Sequence, residues 1–137
     1  RRALKPMLEQ QWGRIINIAS VEGKQGKPVV TAYTAAKHAI VGMPKSIARE
    51  VGTQGITVNS ICPGLIITDI AREVGPATAK AMGLTFDELV VEFAKDSAIQ
   101  RTNTVEEVAA VAVLLASEVG GGITGASISV DGGTAQY

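Results

Sequence analysis

Short apolar segments alternate with longer helical ones along the whole chain, and this alternation constrains the fold most strongly. Residues 14–19, 56–61 and 126–130 are short and contain isoleucine and valine. The first of them is apolar on both faces, as in a buried parallel strand. A segment with helical character precedes each one. Because strands separated by helices return to one sheet through right-handed crossovers, the strands are expected to be parallel. The sequence therefore predicts an α/β fold.

The longest helix is predicted from about residue 31 to residue 51. Thr31 and Thr34 are the candidate N-caps, and two glycines follow the helix and end it. Pro44 lies inside this helix and has no N–H to donate, which costs about 3 kcal/mol unless a kink is accommodated. We therefore expect a bend one turn earlier, near Ile40.

The segment after the second strand is predicted to hold one or two amphipathic helices. Gly75–Pro76 and Gly83 are expected to break it, and one helix is expected at about 86–95. Further along, Thr104 followed by Glu107 is the signature of a capping box, in which each side chain bonds the other residue's backbone N–H. This pattern predicts a last helix that runs to about Ser117.

Composition excludes several classes of protein. The chain of 137 residues allows one ordinary domain, and 13 basic residues balance 13 acidic ones, so charge offers no case for a nucleic acid or an anionic membrane. No run approaches the roughly 18–20 apolar residues of a membrane span. The single Cys62 cannot form an intrachain disulfide and fits a reducing cytoplasm. No cluster has metal-ligand spacing, so no metal is expected.

A serine, a tyrosine and a lysine form the pattern with the most chemical content. Tyr33 and Lys37 are four residues apart in a predicted helix and so share one face, and Ser20 follows the first predicted strand. A free phenol is a poor base at neutral pH, but a nearby ammonium group favours the phenolate by Coulomb attraction. These residues suit acid–base chemistry at a hydroxyl or carbonyl carbon. Taken alone, Tyr33 and Lys37 are more typical of a half-buried tyrosine and a solvated lysine than of a catalytic pair.

The chain resembles the short-chain dehydrogenase/reductase family at four motifs that occur in family order. The motifs are Asn17-Ile18-Ala19-Ser20, Tyr33-x-x-x-Lys37, Ile61–Thr68 and Ser129–Gly133. Together they cover nearly the whole chain, which makes the resemblance specific. It implies the C-terminal half of a doubly wound Rossmann-type parallel sheet with flanking helices. Residues 1–137 are then expected to be a partial Rossmann-type catalytic domain, with the glycine-rich dinucleotide half upstream of Arg1.

The resemblance implies an NAD(P)-dependent oxidoreductase that transfers a hydride between nicotinamide and a secondary alcohol or ketone. Tyr33 is then the general acid/base, Lys37 also bonds the nicotinamide ribose, and Ser20 holds the substrate oxygen. The charge that develops on that oxygen during hydride transfer is what such a hydrogen bond stabilises.

A turn after the second predicted strand resembles the one that receives the nicotinamide carboxamide in this family. Its residues are Pro63, Gly64, Ile66 and Thr68; contact is implied through the backbone of Ile66 and the Thr68 hydroxyl. Capping of the next helix by Thr68 is compatible with that contact. The cofactor is NAD or NADP, because the residue that discriminates them belongs to the other half of the fold. The resemblance also implies a homo-oligomer, a dimer or a tetramer.

Other polar residues are assigned structural positions. We expect Asn17 to bond strand or turn backbone, Asp131 to form the turn after the last strand, and Cys62 to pack in the interior. The single histidine, His38, follows Lys37 and so points to another face of the helix. It is expected at the surface or in an interface.

A long, largely helical segment at residues 69–103 is expected to be the substrate lid. With the motifs above it is similar to the hydroxybutyrate dehydrogenase subgroup, which is expected to bind its carboxylate with a histidine and a lysine. Glu22 and Val30 stand at those positions, and Leu65 stands where a tryptophan is expected. A carboxylate at Glu22 repels an anionic substrate. A neutral secondary alcohol or ketone, or an acyl thioester, fits better.

Two alternative interpretations follow from the same residues. The segments GITVNSICPG and VDGG are similar to those of 3-oxoacyl carrier-protein reductases, which use the same chemistry on a thioester. The other alternative is a truncated, non-catalytic module. Without a pyrophosphate site, the isolated 137-residue polypeptide is expected to be inactive and to bind no dinucleotide.

Overall fold

The computed structural model describes residues 2–135 and confirms a parallel α/β arrangement within them. The strands are β1 (Gly13–Ile18), β2 (Ile56–Pro63) and β3 (Ser127–Val130), in the sheet order β1-β2-β3. Both strand pairs are parallel. The helices are α1 (Leu4–Glu9), α2 (Thr31–Val51), α3 (Asp69–Ala81), α4 (Phe86–Lys95) and α5 (Val105–Ala116). None of the helices in the described range is both long and apolar enough to cross a bilayer.

The central strand β2 forms the core. All eight of its residues are buried, and Ile56 and Val58 pack against Ala48 and Val51 of α2. The strand runs two residues beyond the predicted end at Ile61, because β3 pairs with its last residues as far as Pro63. Pairing with β3 therefore lengthens β2 at its carboxyl end. The local sequence does not reveal this pairing, because β3 is distant in the chain.

The capping prediction for α2 was wrong. The N-cap is Val30 and makes no side-chain capping bond, and the amide of Thr34 donates to the Val30 carbonyl at 2.8 Å as an ordinary helical bond. Thr31 is already the first helical residue, so its hydroxyl lies too far along the chain to act as the N-cap.

Pro44 is accommodated by a contact from the sheet. The helix continues through Pro44, and the Ile40 carbonyl, which lacks its normal donor, accepts a hydrogen bond of 2.9 Å from the Ser60 hydroxyl of β2. Ser60 is fully buried. This bond replaces the one that proline removes and ties α2 to the central strand.

The predicted break at Gly75–Pro76 was also wrong, whereas the break at Gly83 is confirmed. Helix α3 runs through Gly75–Pro76, and the Phe86 ring of α4 fills the space beside Gly75, where a Cβ would overlap it. The chain then turns at Gly83, where φ is +75°, a conformation that glycine adopts without strain. Helices α3 and α4 thus form a helical hairpin.

Both helices that begin with Thr-x-x-Glu have capping boxes. The predicted pair Thr104 and Glu107 starts α5. A second box, formed by Thr85 and Glu88, starts α4. The Thr-x-x-Glu pattern of this second box is present in the sequence, so sequence reasoning could have predicted it.

Candidate active site

A cleft of about 560 Å³ lies at the carboxyl ends of β1 and β2. Because the strands are parallel, the segments that follow them emerge at the same edge of the sheet. The residues predicted for catalysis and cofactor binding all line this cleft: Ser20, Tyr33, Lys37, Pro63, Gly64, Ile66 and Thr68. Residues that are up to 48 positions apart in the sequence are therefore brought together.

Ser20 sits at the bend between β1 and a short 3₁₀ turn, Val21–Gly23. Its Oγ accepts a hydrogen bond of 3.2 Å from the amide of Glu22 and donates to the Glu22 carboxylate. Gly23 lets this turn approach α2, since a Cβ there would lie 2.9 Å from the Lys37 carbonyl oxygen. The serine hydroxyl is thus bound by its own turn, and that turn packs against the helix that carries the tyrosine and the lysine.

Tyr33 and Lys37 lie one turn apart near the start of α2. The Lys37 Nζ donates to the carbonyl of Ile18 at 3.1 Å and lies 5.4 Å from the centre of the Tyr33 ring. Tyr33 is 48% exposed, so its phenol is open to the cleft. The lysine is therefore anchored to the end of β1, while the tyrosine faces the space where a substrate would lie.

The turn after β2 is held by backbone bonds. Gly64 donates to the Val130 carbonyl at 3.0 Å, and a Cβ at Gly64 would lie only 3.0 Å from the Cα of Asp131. Thr68 caps α3, as expected, by accepting a bond of 3.2 Å from the Ala71 amide. These bonds fix the backbone of the turn and the Thr68 hydroxyl at the wall of the cleft.

The helices α3 and α4 provide the apolar wall of the cleft. Ile70 and Val74 of α3 and Phe86, Leu89 and Phe93 of α4 line it. These residues lie within the predicted lid, 69–103. The position of both helices over the cleft supports that prediction, and the lid role stays a proposal.

Lys27 is a cleft residue that sequence reasoning missed. Its Nζ lies 3.1 Å from Asp96 Oδ2 and 3.3 Å from the centre of the Phe93 ring. These contacts fasten the loop after Ser20 to the end of α4. The partners are more than sixty residues away in the sequence, so no local pattern could have identified them.

The remaining polar residues have mainly structural environments. His38 is exposed, and its Nδ1 lies 3.0 Å from the Thr34 carbonyl oxygen. Burial raises the pKa of the Cys62 thiol, which keeps it in the unreactive protonated form. Asp131 accepts bonds from Gly133 and Ala135 in the turn after β3. No group of three His, Cys, Asp or Glu side chains in the described part of the chain is placed to hold a metal ion.

The expectation for Asn17 is not met. Its Nδ2 is buried and has no hydrogen-bond partner among residues 2–135. The side chain lies on β1, which is an edge strand of the described sheet. The Asn17 Nδ2 therefore bonds no backbone carbonyl of the strand or of the turn that follows it.

Comparison with known proteins decides the family. A family model described as enoyl-(acyl carrier protein) reductase matches residues 1–135. The chain belongs to the short-chain dehydrogenase/reductase family. The Rossmann-type half-fold inferred from the motifs is confirmed by solved structures of that family.

Several relatives in this family are similar over nearly the whole chain. A D-beta-hydroxybutyrate dehydrogenase of Rhizobium meliloti is 44% identical over 99% of this chain and 54% of its own length. A 3-oxoacyl-(acyl-carrier-protein) reductase of Chlamydia muridarum is 41% identical over 96% of this chain and 49% of its own length. The chain thus spans about half the length of the curated relatives it matches.

Two solved structures of family members superpose closely. An actinorhodin polyketide ketoreductase variant crystallised with NADPH has a TM-score of 0.88 and 34% identity, over 96% of this chain and 50% of that one. A sorbitol-6-phosphate 2-dehydrogenase from Erwinia amylovora has a TM-score of 0.88 and 31% identity, over 96% of this chain and 52% of that one. The fold of this chain is therefore that of about half of a short-chain dehydrogenase/reductase.

The residues of the cleft fit one end of a nicotinamide dinucleotide. The Lys37 ammonium, the Tyr33 phenol and the Thr68 hydroxyl are polar groups suited to a ribose and a carboxamide, beside an apolar wall suited to a planar ring. A pyrophosphate calls for backbone amides at a glycine-rich helix start. Within residues 2–135 no such turn lines the cleft. The described residues therefore fit the nicotinamide end alone.

Proposed function

We propose that this chain is the substrate-binding and catalytic half of an NAD(P)-dependent oxidoreductase, acting at a secondary alcohol or ketone carbon. The observation that carries the proposal is the meeting of Ser20, Tyr33 and Lys37 beside the Pro63–Thr68 turn in one cleft. A bound nicotinamide supplies or accepts the hydride. The side chains of this chain handle the proton and the substrate oxygen.

Tyr33 is the proton donor and acceptor in this proposal. Its phenol takes the proton from the substrate hydroxyl in the oxidation and returns it to the carbonyl oxygen in the reduction. The Lys37 ammonium lies 5.4 Å from the centre of the ring and brings a positive charge close to the reacting group. Its bond to the Ile18 carbonyl holds that charge in position.

Ser20 holds the substrate oxygen by a hydrogen bond, once its hydroxyl proton turns from the Glu22 carboxylate to the substrate. As the carbonyl of the substrate gains a hydride, negative charge develops on its oxygen, and a fixed hydroxyl lowers the energy of that state. Ile66 and Thr68 are the proposed contacts for the nicotinamide carboxamide, with Pro63 and Gly64 shaping the turn. The cofactor is NAD or NADP.

The α3–α4 hairpin is the proposed lid and sets the character of the substrate. Its apolar side chains fit a hydrocarbon portion, whereas the Glu22 carboxylate repels an anion beside the reacting carbon. A neutral alcohol or ketone is therefore the proposed substrate class. We also place the protein in a reducing cytoplasm, on the basis of a single buried thiol.

We propose a homo-oligomer because apolar side chains are left exposed on long helices. Met43 of α2 is 49% exposed, and α2 is the longest helix in the described range. Covering such side chains with a second copy removes apolar surface from water.

Replacement of Tyr33 by phenylalanine in the protein that carries this chain tests the function. We expect kcat to fall about 10²–10⁴-fold, because the proton carrier is lost, and the dissociation constant for the nicotinamide cofactor to change little. Trp12→Phe is the matched control, since Trp12 bonds Glu118 and lies outside the cleft. A Tyr33→Phe variant that keeps most of its activity would overturn the proposal.

A further inference from the structure

We propose that Asn103 is a positioning residue for the nicotinamide end of the cofactor, and that it acts through the turn after β2. Asn103 does not line the cleft, but it contacts the turn at Gly64–Thr68 to which the carboxamide is proposed to bind. This inference rests on the proposed oxidoreductase function and assigns a further residue to the same site.

The two ends of the proposed lid meet at Asn103. The lid, residues 69–103, begins just after Thr68 and ends at Asn103. The Asn103 amide donates to the Leu65 carbonyl at 3.0 Å, and Ile66 and Asn103 form an isolated parallel β-bridge. The backbone of Ile66, a proposed contact for the carboxamide, is therefore aligned by the residue that ends the lid.

The Asn103 side chain packs against the same turn. The residue is only 8% exposed. A Cβ on Gly64 would lie 3.1 Å from Asn103 Oδ1 and 3.0 Å from the Cα of Asp131. Gly64 thus lies against both residues with little room to spare, so the Asn103 side chain limits where the turn can move.

Glu107 fixes the direction of the Asn103 side chain. Asn103 Nδ2 donates to Glu107 Oε2 at 3.1 Å. The same carboxylate accepts bonds from Arg101 at 2.6 Å and from the Thr104 amide at 2.8 Å. Charge-assisted bonds of this kind are short and directional. Because Glu107 lies in the first turn of α5, which packs against β1 and β2, Asn103 is tied to a helix of the core.

Loss of the Asn103 side chain should loosen the turn without removing a group that touches the reactants. Ile66 and Thr68 would then be held less firmly for the carboxamide. Tyr33 lies on α2 and keeps its position. The expected consequence is weaker binding of the nicotinamide part of the cofactor alone.

The test measures how the whole protein binds NADH, NADPH, ADP-ribose and 2′-phospho-ADP-ribose. The last two ligands match the two dinucleotides but lack the nicotinamide ring, so they report binding that the turn does not provide. Asn103→Ala should raise the dissociation constant for the bound dinucleotide about 3–30-fold, and leave that for the matching ADP-ribose unchanged. Titration calorimetry gives both constants without turnover.

A conservative variant and a partner variant test the route of the effect. Asn103→Ser keeps a shorter donor, so its dissociation constant for the dinucleotide should lie between those of the wild type and Asn103→Ala. Glu107→Ala removes the acceptor and should also weaken dinucleotide binding. Because the two residues act through one bond, the double variant should lose less than the product of the single effects.

Asn59→Ala is the matched control. Asn59 is a fully buried asparagine whose side chain bonds the backbone of Ile123 and Ala126, outside the cleft. Its replacement should lower the melting temperature and leave the ratio of the dinucleotide and ADP-ribose constants unchanged. The ADP-ribose constant of each variant also serves as an internal control for partial unfolding.

The outcomes distinguish this inference from the proposed function. If Asn103→Ala leaves both constants unchanged, or raises both by the same factor, the inference is overturned and the function stands. A wild-type protein that binds neither dinucleotide would overturn both. Additive effects of Asn103→Ala and Glu107→Ala would show that Glu107 does not act through Asn103.

Discussion

The central strand and the helical hairpin over the cleft differ strongly in burial. Every residue of β2 is buried. In the hairpin, α3 buries only Ala79 and α4 buries only Leu89 among their described residues. Ile70 of α3 is 70% exposed although it lines the cleft. The apolar residues of β2 pack in the core, whereas most of those in the hairpin face the cleft or solvent.

Because of this difference, we expect β2 to determine the stability of the fold and the hairpin to determine ligand binding. Burial in β2 and its contacts with α2 hold the segments that carry Ser20, Tyr33 and Lys37. The hairpin has little buried surface of its own, so its apolar side chains are available to a ligand. Regions with few buried contacts open at low free energy, which suits a lid. Substitutions in the strand should therefore change stability, and those in the hairpin should change KM.

The largest effect is expected when an isoleucine is replaced by alanine in β2, compared with the same replacement in the hairpin. Ile61→Ala in β2 removes a side chain with no exposure and should lower the free energy of unfolding by about 2–5 kcal/mol. Ile70→Ala in α3 should change it by less than about 0.5 kcal/mol, while raising KM. Urea unfolding and steady-state kinetics measure the two quantities. Equal losses of stability at both sites would break the comparison.

The next effect concerns the bond that joins α2 to the strand. Ser60→Ala removes the donor to the Ile40 carbonyl and should cost about 1–3 kcal/mol of unfolding free energy. In a Pro44→Ala background the helix regains its own N–H donor, so the same substitution should cost less. A double-mutant cycle from denaturant unfolding gives the coupling. An identical cost in both backgrounds would show that Ser60 does not compensate for the proline.

A smaller effect is expected within the hairpin. Gly42→Ala, on an exposed part of α2 with open space around it, should stabilise the protein by about 0.5–1 kcal/mol through helix propensity. Gly75→Ala gains the same propensity but displaces the Phe86 ring. It should show no net gain and should raise KM, because the wall of the cleft moves. A gain equal to that of Gly42→Ala, with KM unaltered, would contradict the packing described for α3 and α4.

The smallest effect is expected from an ion pair just after the hairpin. Hydrogen bonds from Arg101, the Thr104 amide and Asn103 lower the pKa of Glu107 from its ordinary value of 4.5 to about 2. A lowered pKa means that this carboxylate stabilises the fold above pH 4.5, and that its contribution is lost as the pH falls towards 2.

Glu107→Gln tests this pH dependence. The variant should melt at a lower temperature than the wild type near pH 6, and the difference should shrink between about pH 4.5 and pH 2. Glu106→Gln, an exposed neighbour in the same helix, is the control and should show a weaker dependence. A constant difference across this pH range would contradict the assignment.

Particular elements show how far sequence reasoning reaches. The strands and the α5 capping box followed from periodicity and spacing, and the shared site of Ser20, Tyr33 and Lys37 followed from their spacing together with the resemblance to the family. The failed predictions have different causes: the N-cap of α2 failed for a local reason, because the helix begins at Thr31 itself, whereas the predicted break in α3 lies where two helices pack together. Helix α3 continues through Gly75–Pro76, and the Phe86 ring of α4 packs against Gly75, a contact that no pattern within α3 predicts.

The sequence by itself determined the order of the elements, the parallel sheet, the family and the residues that meet in the cleft. Those properties depend on local periodicity and on motifs, which are carried by neighbouring residues. Only the tertiary structure decided that Ser60 replaces the bond lost at Pro44 and that Lys27 joins the loop to α4. Each of these is a contact through space whose geometry is set by packing, and a linear pattern does not record it.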